Sequence, residues 1–566
     1  MNIASFVVER AKETPDAPAV SYPVGRGRDG TTRRTRYLHY SYRQLDLESD
    51  RIARGLDALG IGRGVRTALL VRPSLEFFAL TLAIFRLGAV PIVVDPGIGA
   101  RSLKTCLDQA EPEAFIGVPV AHAARVVLGW GRRTIQTNVT VGRRWFWGGT
   151  TLAQIRRTPL AAEARPVADT RPDEVAAILF TSGSTGVPKG VVYRHENFAA
   201  QVEAIRGLSA IAPGEVDLPT FPLFALFDPA FGMRAVIPEM DPARPADVDP
   251  RRIAEAVDEF AVTNMFASPA LLDTVGRYGE KHGLRLPTLK RVISAGAPVP
   301  ADVMRRFLDM LPEGAEILTP YGATECLPVS CISSRQVLGG TAAATDAGAG
   351  VCVGAPVPSI EVRIIRIDDA PIEKWDDERV LGPGEIGEIT VRGPQATRAY
   401  YNRPDETALA KIADADGSLW HRMGDVGYLD DEGLLWFCGR KAHRVQTAEG
   451  VLYTIPCEAV FNTHPAVRRT ALVGVSGGAP SLPVLPALPA LPVLCVEKLA
   501  GVEVSSDAAL IAELLELGAA HEHTRGIRQF LFHPEFPVDA RHNAKIGREK
   551  LAHWASKRLA AGNARA

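Results

Sequence analysis

The chain has 566 residues, of which 46% are hydrophobic and 23% charged; this is the make-up of a folded globular protein and not of a disordered one. Lys plus Arg number 64 and Asp plus Glu 65, for a formal net charge of −1, so the molecule as a whole has no electrostatic case for binding nucleic acid or an anionic membrane. Seven scattered cysteines without a C-x-x-C pair argue against a disulfide framework or a zinc site.

This cysteine usage fits a reducing cytoplasm. The first twenty residues lack a basic segment followed by an apolar one, so no signal peptide is expected. The longest charge-free apolar runs, such as Phe77–Phe85, are about half of the ~20 residues a spanning helix needs. At roughly 100–200 residues per domain, the length predicts about three to five domains or subdomains.

Along the chain, helical and strand signals alternate. Leu45, Ile52, Leu56 and Leu59 share one helical face. Thr67–Val71 reads as a short strand, Phe77–Leu87 as a helix, and Ala89–Val94 as a buried strand ending at Asp95-Pro96-Gly97. Residues 129–148 place Trp130, Trp145 and Trp147 among arginines, which reads as an amphipathic insertion packed on the surface or as a contact for a partner or lipid. Val175–Phe180, Asn264–Ala267 and Arg291–Ser294 read as further buried strands. Such alternation predicts an α/β fold with doubly wound, mainly parallel sheets. From about Gly354 the pattern changes. Glu361–Ile367 and Glu385–Val391 alternate apolar and polar residues, the signature of a half-exposed antiparallel β subdomain.

The predicted division is a large N-terminal domain over 1–440, with the β subdomain at about 354–440, and a small mobile α+β domain over 441–566. Within the latter, Pro480, Pro483, Pro486, Pro489 and Pro492 recur every third residue. That period matches polyproline II and predicts an exposed loop insertion or a docking ridge.

The strongest chemical signal is Thr181-Ser182-Gly183-Ser184-Thr185-Gly186-Val187-Pro188-Lys189-Gly190, directly after a strand. Gly183 and Gly186 let the backbone approach an anion, and the hydroxyls of Thr181, Ser182, Ser184 and Thr185 can donate to phosphate oxygens. Lys189 adds a point charge. The GxxxxGK[ST] spacing of a Walker loop is absent.

These ten residues resemble the phosphate loop of the acyl-adenylate-forming enzymes. Further segments resemble that family in its own order. Ser294-Ala-Gly296-Ala297-Pro298 is similar to the adenine-lining segment and Tyr321-Gly322-Ala-Thr324-Glu325 to the second nucleotide motif. His421-Arg-Met-Gly-Asp425, Gly427-Tyr428 and Gly439-Arg440 are similar to the ribose and linker motifs, and Asn543-Ala-Lys545-Ile-Gly547 to the C-terminal lysine motif.

The resemblance implies ATP and Mg²⁺ as cofactors and assigns residues to roles. Tyr321 stacks on adenine, lined by Gly296, Ala297, Pro298 and Gly322. Asp425 accepts from the ribose hydroxyls and Arg440 bonds ribose or phosphate. Thr324 donates to the α-phosphate, Glu325 is both catalytic and the metal ligand, and Lys545 is the mobile catalytic cation. A carboxylate attacks the α-phosphorus of MgATP, pyrophosphate leaves, and the small domain then swings about a hinge after the Gly-Arg pair.

At that hinge the chain departs from the common pattern: Ala442 stands where Asp or Lys is usual, and Gln446 where a lysine is usual. From Gly439 to Glu458 there are two residues more than the common spacing, which weakens the case for coenzyme A as acceptor. Residues 221–233 (FPLFALFDPAFGM), 262–273 (VTNMFASPALLD), 291–301 (RVISAGAPVPA), 320–330 (PYGATECLPVS) and 420–445 (WHRMGDVGYLDDEGLLWFCGRKAHRV) resemble one branch, the bacterial β-lactone synthetases of long-chain olefin biosynthesis.

That resemblance implies a 2-alkyl-3-hydroxy fatty acid whose own hydroxyl attacks the adenylated carbonyl. Phe221, Phe224 and Phe227 are candidate walls of its pocket. Asp228 is a candidate contact to the hydroxyl, or a helix cap beside Pro229. Two other readings stand beside it: a long-chain fatty acyl-CoA or acyl-AMP ligase, and a non-catalytic binding component of a lipid enzyme assembly. Partners implied are the hydroxy fatty acid and other enzymes of the olefin pathway, with no nucleic acid and no transmembrane segment.

Overall fold

The computed structural model describes residues 2–29, 32–159, 164–181, 187–475, 489–502, 504–538 and 545–563. Two large sheets dominate the N-terminal part. The first has seven strands, in the order Thr150–Thr151, Thr137–Thr140, Ala114–Gly117, Arg66–Leu70, Val90–Val93, Val175–Phe180 and Gly190–Arg194. All its pairings are parallel except the last.

The second sheet has fourteen strands. Its parallel part holds Val216–Pro219, Arg234–Val236, Asn264–Ala267, Arg291–Ser294 and Glu316–Ala323. Glu316–Ala323 then turns back antiparallel onto Cys326–Ser333, which leads into Val351–Pro356, Leu435–Arg440, Leu419–Leu429, Gly387–Arg392 and Glu361–Ile365. The antiparallel region predicted from Gly354 is thus continuous with the parallel sheet and begins before that glycine. The opposite edge is a long hairpin, Pro18–Asp29 with Thr32–Ser41, which the sequence reading did not anticipate.

Between the two sheets lies the helix Leu75–Arg86, buried at every residue except Glu76. A helix apolar on all sides is stable only when enclosed. Its start is fixed by Ser74, whose hydroxyl accepts from the Phe77 N–H at 3.1 Å. The buried Arg86 ends this helix and is neutralised by Asp46 at 2.6 Å and Asp50 at 3.8 Å, as a charge withdrawn from water must be. Alongside runs Tyr42–Asp57, opened by a capping box between Ser41 and Gln44. It buries Leu45, Ile52 and Leu56 as predicted, while Leu59 falls in the turn beyond its end.

The C-terminal part has its own three-stranded sheet, Val467–Val475, Leu491–Lys498 and Gln529–Phe532. Thr454–Asn462 and Asp507–Ala519 contribute to a core on one face, and Arg548–Asn563 to a core on the other. Pro492 lies inside the strand Leu491–Lys498, opposite Gly474, so it does not continue a polyproline ridge. Pro480, Pro483 and Pro486 lie outside the described residues. The tryptophan segment is also divided. Trp130 is buried in the core, Trp147 is half-buried, and Trp145 is exposed. Among the described residues no helix is long and apolar enough to cross a membrane.

Candidate active site

One cavity of about 2810 Å³ opens along the C-terminal ends of the parallel strands and reaches the C-terminal part of the chain. Crevices at strand ends are the usual binding places of open α/β sheets. It gathers most of the predicted site: Thr181, Lys189, Gly296, Ala297, Pro298, Tyr321, Gly322, Thr324, Glu325, Asp425, Arg440 and Lys545, together with Phe221, Phe224, Phe227 and Asp228. Ser182, Gly183, Ser184, Thr185 and Gly186 lie outside the described residues.

The base of the phosphate loop is a hairpin. Val175–Phe180 pairs antiparallel with Gly190–Arg194, and Thr181 and Lys189 close the loop across it. The Thr181 N–H donates to the Lys189 carbonyl at 3.0 Å, and the Lys189 N–H to the Thr181 hydroxyl at 3.1 Å. The ammonium of Lys189 stands 5.0 Å over the ring of Tyr400, a cation–π contact that aims it.

Glu325 is held on two sides. The Tyr400 hydroxyl donates to its Oε1 at 2.6 Å, and its carbonyl receives the N–H and hydroxyl of Thr397 at 2.8 and 3.0 Å. Behind it Lys411 donates to the Thr397 carbonyl. Burial draws this lysine down to about 8, against the pull of Glu325. The neighbouring Thr324 carbonyl accepts from the Tyr193 hydroxyl at 2.5 Å. Tyr193, Thr397, Tyr400 and Lys411 were not singled out in the sequence; the adjacent pair Tyr400-Tyr401 was the available signal.

The nucleotide cradle is built on paired strands. Asp425 lies opposite Arg440 in the ladder of Leu419–Leu429 with Leu435–Arg440. Its Oδ2 accepts from the Tyr321 hydroxyl at 2.6 Å. Its Oδ1 is ion-paired with Arg440 Nη1 at 2.9 Å. Burial raises the Asp425 carboxyl, with Arg440 and Tyr321 opposing. Gly322 has no room for a side chain: a Cβ there would meet the Cys326 carbonyl at 2.6 Å.

Lys545 enters the same cavity from the C-terminal part. The loop carrying it is anchored just beyond. The Gly547 N–H donates to the Pro537 carbonyl at 2.7 Å, and Arg548 pairs with the buried Glu458, Nη2 to Oε2 at 2.9 Å. Across the junction, Ala442 sits in a single turn, Lys441–His443. Lys441 is 3.1 Å from Glu388, itself bound to the buried Arg422 at 2.6 Å. His443 meets Glu549 at 3.3 Å.

The other end of the cavity is apolar. Phe221 packs edge-on against Phe224 at 5.5 Å, Phe224 against Phe266 at 4.1 Å, and Phe227 against Phe198 at 6.1 Å. Asp228 interrupts this wall. It is only 3% exposed, and its Oδ2 has no hydrogen-bond partner among the described residues. It does not cap the short helix Asp228–Phe231, which has no side-chain cap, so the capping reading is set aside. Burial raises its carboxyl well above the usual range, and the nearby Asp217, also buried and also raised by burial, pushes it further. Two carboxyl groups so placed resist carrying two charges.

The comparisons with known proteins agree with this geometry. The model of the AMP-binding enzyme family matches residues 7–401. The olefin beta-lactone synthetase of Xanthomonas campestris pv. campestris is 55% identical over 560 residues, 98% of each chain. That of Stenotrophomonas maltophilia is 55% identical over 564 residues, 99% of this chain and 98% of the other. Among solved structures, ATP-bound MatB from Rhodopseudomonas palustris shares the fold with a TM-score of 0.76 at 20% identity, covering 98% of this chain and 99% of that one. A family match over most of the chain, and high identity over nearly its whole length, make this protein a member of the AMP-binding enzyme family, within which it belongs with the olefin beta-lactone synthetases.

Proposed function

We propose that the protein activates a 2-alkyl-3-hydroxy fatty acid with ATP, as an acyl-adenylate, and closes it to a β-lactone by attack of its own 3-hydroxyl. The observation that carries this reading is one continuous cavity with two unlike ends. Lys189, Arg440, Lys545 and Asp425 line one, and the other is lined by an aromatic wall interrupted by a buried carboxyl whose Oδ2 has no hydrogen-bond partner among the described residues.

ATP fits the first end: three cations for the phosphates, and an aromatic ring and a carboxylate for the nucleoside. Among the described residues no three His, Cys, Asp or Glu side chains group into a metal cage. Glu325 alone offers a hard oxygen beside Thr324, which fits Mg²⁺, an ion bound through one or two carboxylates plus substrate phosphates. When bound, Mg²⁺ neutralises phosphate charge.

The chain's own residues then have the following roles. Tyr321 and Asp425 hold the nucleoside, and Lys189 holds the polyphosphate. Thr324 and Lys545 meet the charge that grows as the acid oxygen bonds to the α-phosphorus and the bond to pyrophosphate breaks. The phenylalanines hold the alkyl chains and exclude water. Asp228 orients the 3-hydroxyl and takes its proton while the hydroxyl oxygen bonds to the carbonyl carbon and AMP departs. Holding hydroxyl and carbonyl together replaces an improbable encounter with an intramolecular one. Ring strain opposes closure, and the mixed anhydride drives it.

The test is incubation with ATP, Mg²⁺ and a racemic 2-alkyl-3-hydroxy acid. Lactone, AMP and pyrophosphate are expected in equal amounts without coenzyme A. Product that forms only when coenzyme A is added would assign the protein to acyl-CoA synthesis instead.

A further inference from the structure

Between Glu113 and Glu163 the chain carries seven arginines and no lysine, aspartate or glutamate, although its total formal charge is −1. Positive charge is therefore segregated in one stretch. The helix Pro119–Leu128 in this stretch turns Val120, 62% exposed, and Val127, 78% exposed, to solvent. Seven residues apart, they lie on one stripe, and Leu128 adjoins it.

Against this helix packs the loop 141–149. Trp147 stacks on the buried His122 at 5.2 Å with planes 5° apart, and its Nε1 donates to the Thr140 hydroxyl at 2.9 Å. With Trp147 so held, Trp145 and Phe146 project outward, 55% and 71% exposed, each with its ring centroid 5.3 Å from that of Trp147.

Arg143 and Arg144 precede these rings directly in the chain, and Arg132 and Arg133 precede the strand Thr137–Thr140 that leads to them; all four are exposed, and among the described residues none of the four is paired with a carboxylate. Of the acids on adjoining elements, Asp108 is engaged by Lys104 and the Gly131 N–H and Glu113 by Arg66, while Glu111 is exposed. The same helix lines the catalytic cavity through Ala121 and Ala124, with Trp130 beside them.

We propose that this face docks the enzyme on an anionic lipid bilayer. Exposed Trp and Phe beside aliphatic residues, with exposed arginines free of carboxylate partners in the same stretch, form an interfacial surface for negatively charged headgroups. A protein interface would be poorer in charge at its centre, and a phosphate backbone would leave Val127 and Phe146 without a role. The cavity is lined by this helix, Val120 of the exposed stripe included, so an acid partitioned in the bilayer lies next to the cavity. The proposal rests on the exposed groups and not on the identity of the acid, so it can fail without affecting lactone formation, and the reverse.

The test is sedimentation of the full chain with large unilamellar vesicles of phosphatidylcholine alone or with one-quarter phosphatidylglycerol. Binding is expected to the anionic vesicles and to weaken with added salt. Trp145→Ser with Phe146→Ser should lower the partition coefficient by about tenfold or more, and Arg132→Gln with Arg133→Gln and Arg143→Gln by a similar factor. Both variants should keep the parent melting temperature and the parent turnover of a short-chain, monomerically dispersed acid. No binding to anionic vesicles, or binding that neither variant changes, would overturn the proposal. So would equal binding to a DNA duplex that only the arginine variant weakens.

Discussion

With Lys545 replaced by alanine, pyrophosphate release is expected to slow by at least about 100-fold, the scale of losing one preorganised charge at a developing anion. ATP affinity should change by no more than roughly threefold, because Lys189, Arg440 and the Tyr321–Asp425 pair remain to hold the nucleotide. The fold should be unaffected: Gly547 on Pro537 and Arg548 on Glu458 anchor the loop without the lysine side chain. Rapid-quench measurement of pyrophosphate and equilibrium ATP binding check both halves. Parent rates of pyrophosphate release would remove Lys545 from the chemistry, and loss of ATP binding would make it a binding residue.

Replacing Asp228 with asparagine separates the two half-reactions. Acyl-adenylate and pyrophosphate should form at nearly the parent rate, while lactone closure falls by about 10²–10⁴, the usual worth of a positioned proton acceptor. The acyl-adenylate should accumulate and be detected by mass spectrometry. The pH dependence has a definite sign. A base acts when ionised, so closure by the parent enzyme should rise with pH through a value above the ordinary carboxylate range, because burial and Asp217 raise Asp228. The variant should lack that rise.

Stability moves the other way. A carboxyl raised on folding binds its proton more tightly in the native state. The native state therefore loses stability as pH rises from the unfolded value through the raised one. Asp228→Asn removes that loss, so its melting temperature at pH 8 should exceed that of the parent. A variant that lost lactone but also melted lower would mark Asp228 as structural.

The sequence was most legible where one local signal sufficed. Val175–Phe180, Asn264–Ala267 and Arg291–Ser294 begin and end where predicted, since each is a short apolar run that parallel burial demands. Pro18–Asp29 and Thr32–Ser41 were missed because the alternation of Val20, Tyr22 and Val24 is short and is followed by a run of arginines and glycines. Asp217 and Lys411 were invisible for another reason. Asp217 matters through Asp228, eleven positions on, and Lys411 through Thr397 and Glu325; nothing local marks either. Asp228 was read two ways because Asp-Pro opens many helices, and the missing cap bond in the folded chain separates the readings. Pro492 shows the converse. A regular spacing of prolines predicted one conformation, and pairing with Val467–Val475 imposed another.

The central claim is that the acid is activated on its own oxygen and then closed by its own hydroxyl. Isotope transfer tests this most directly. With both carboxyl oxygens of the acid labelled with oxygen-18, one label should appear in AMP and one in the lactone carbonyl, with the ring oxygen unlabelled. AMP free of label would contradict the account.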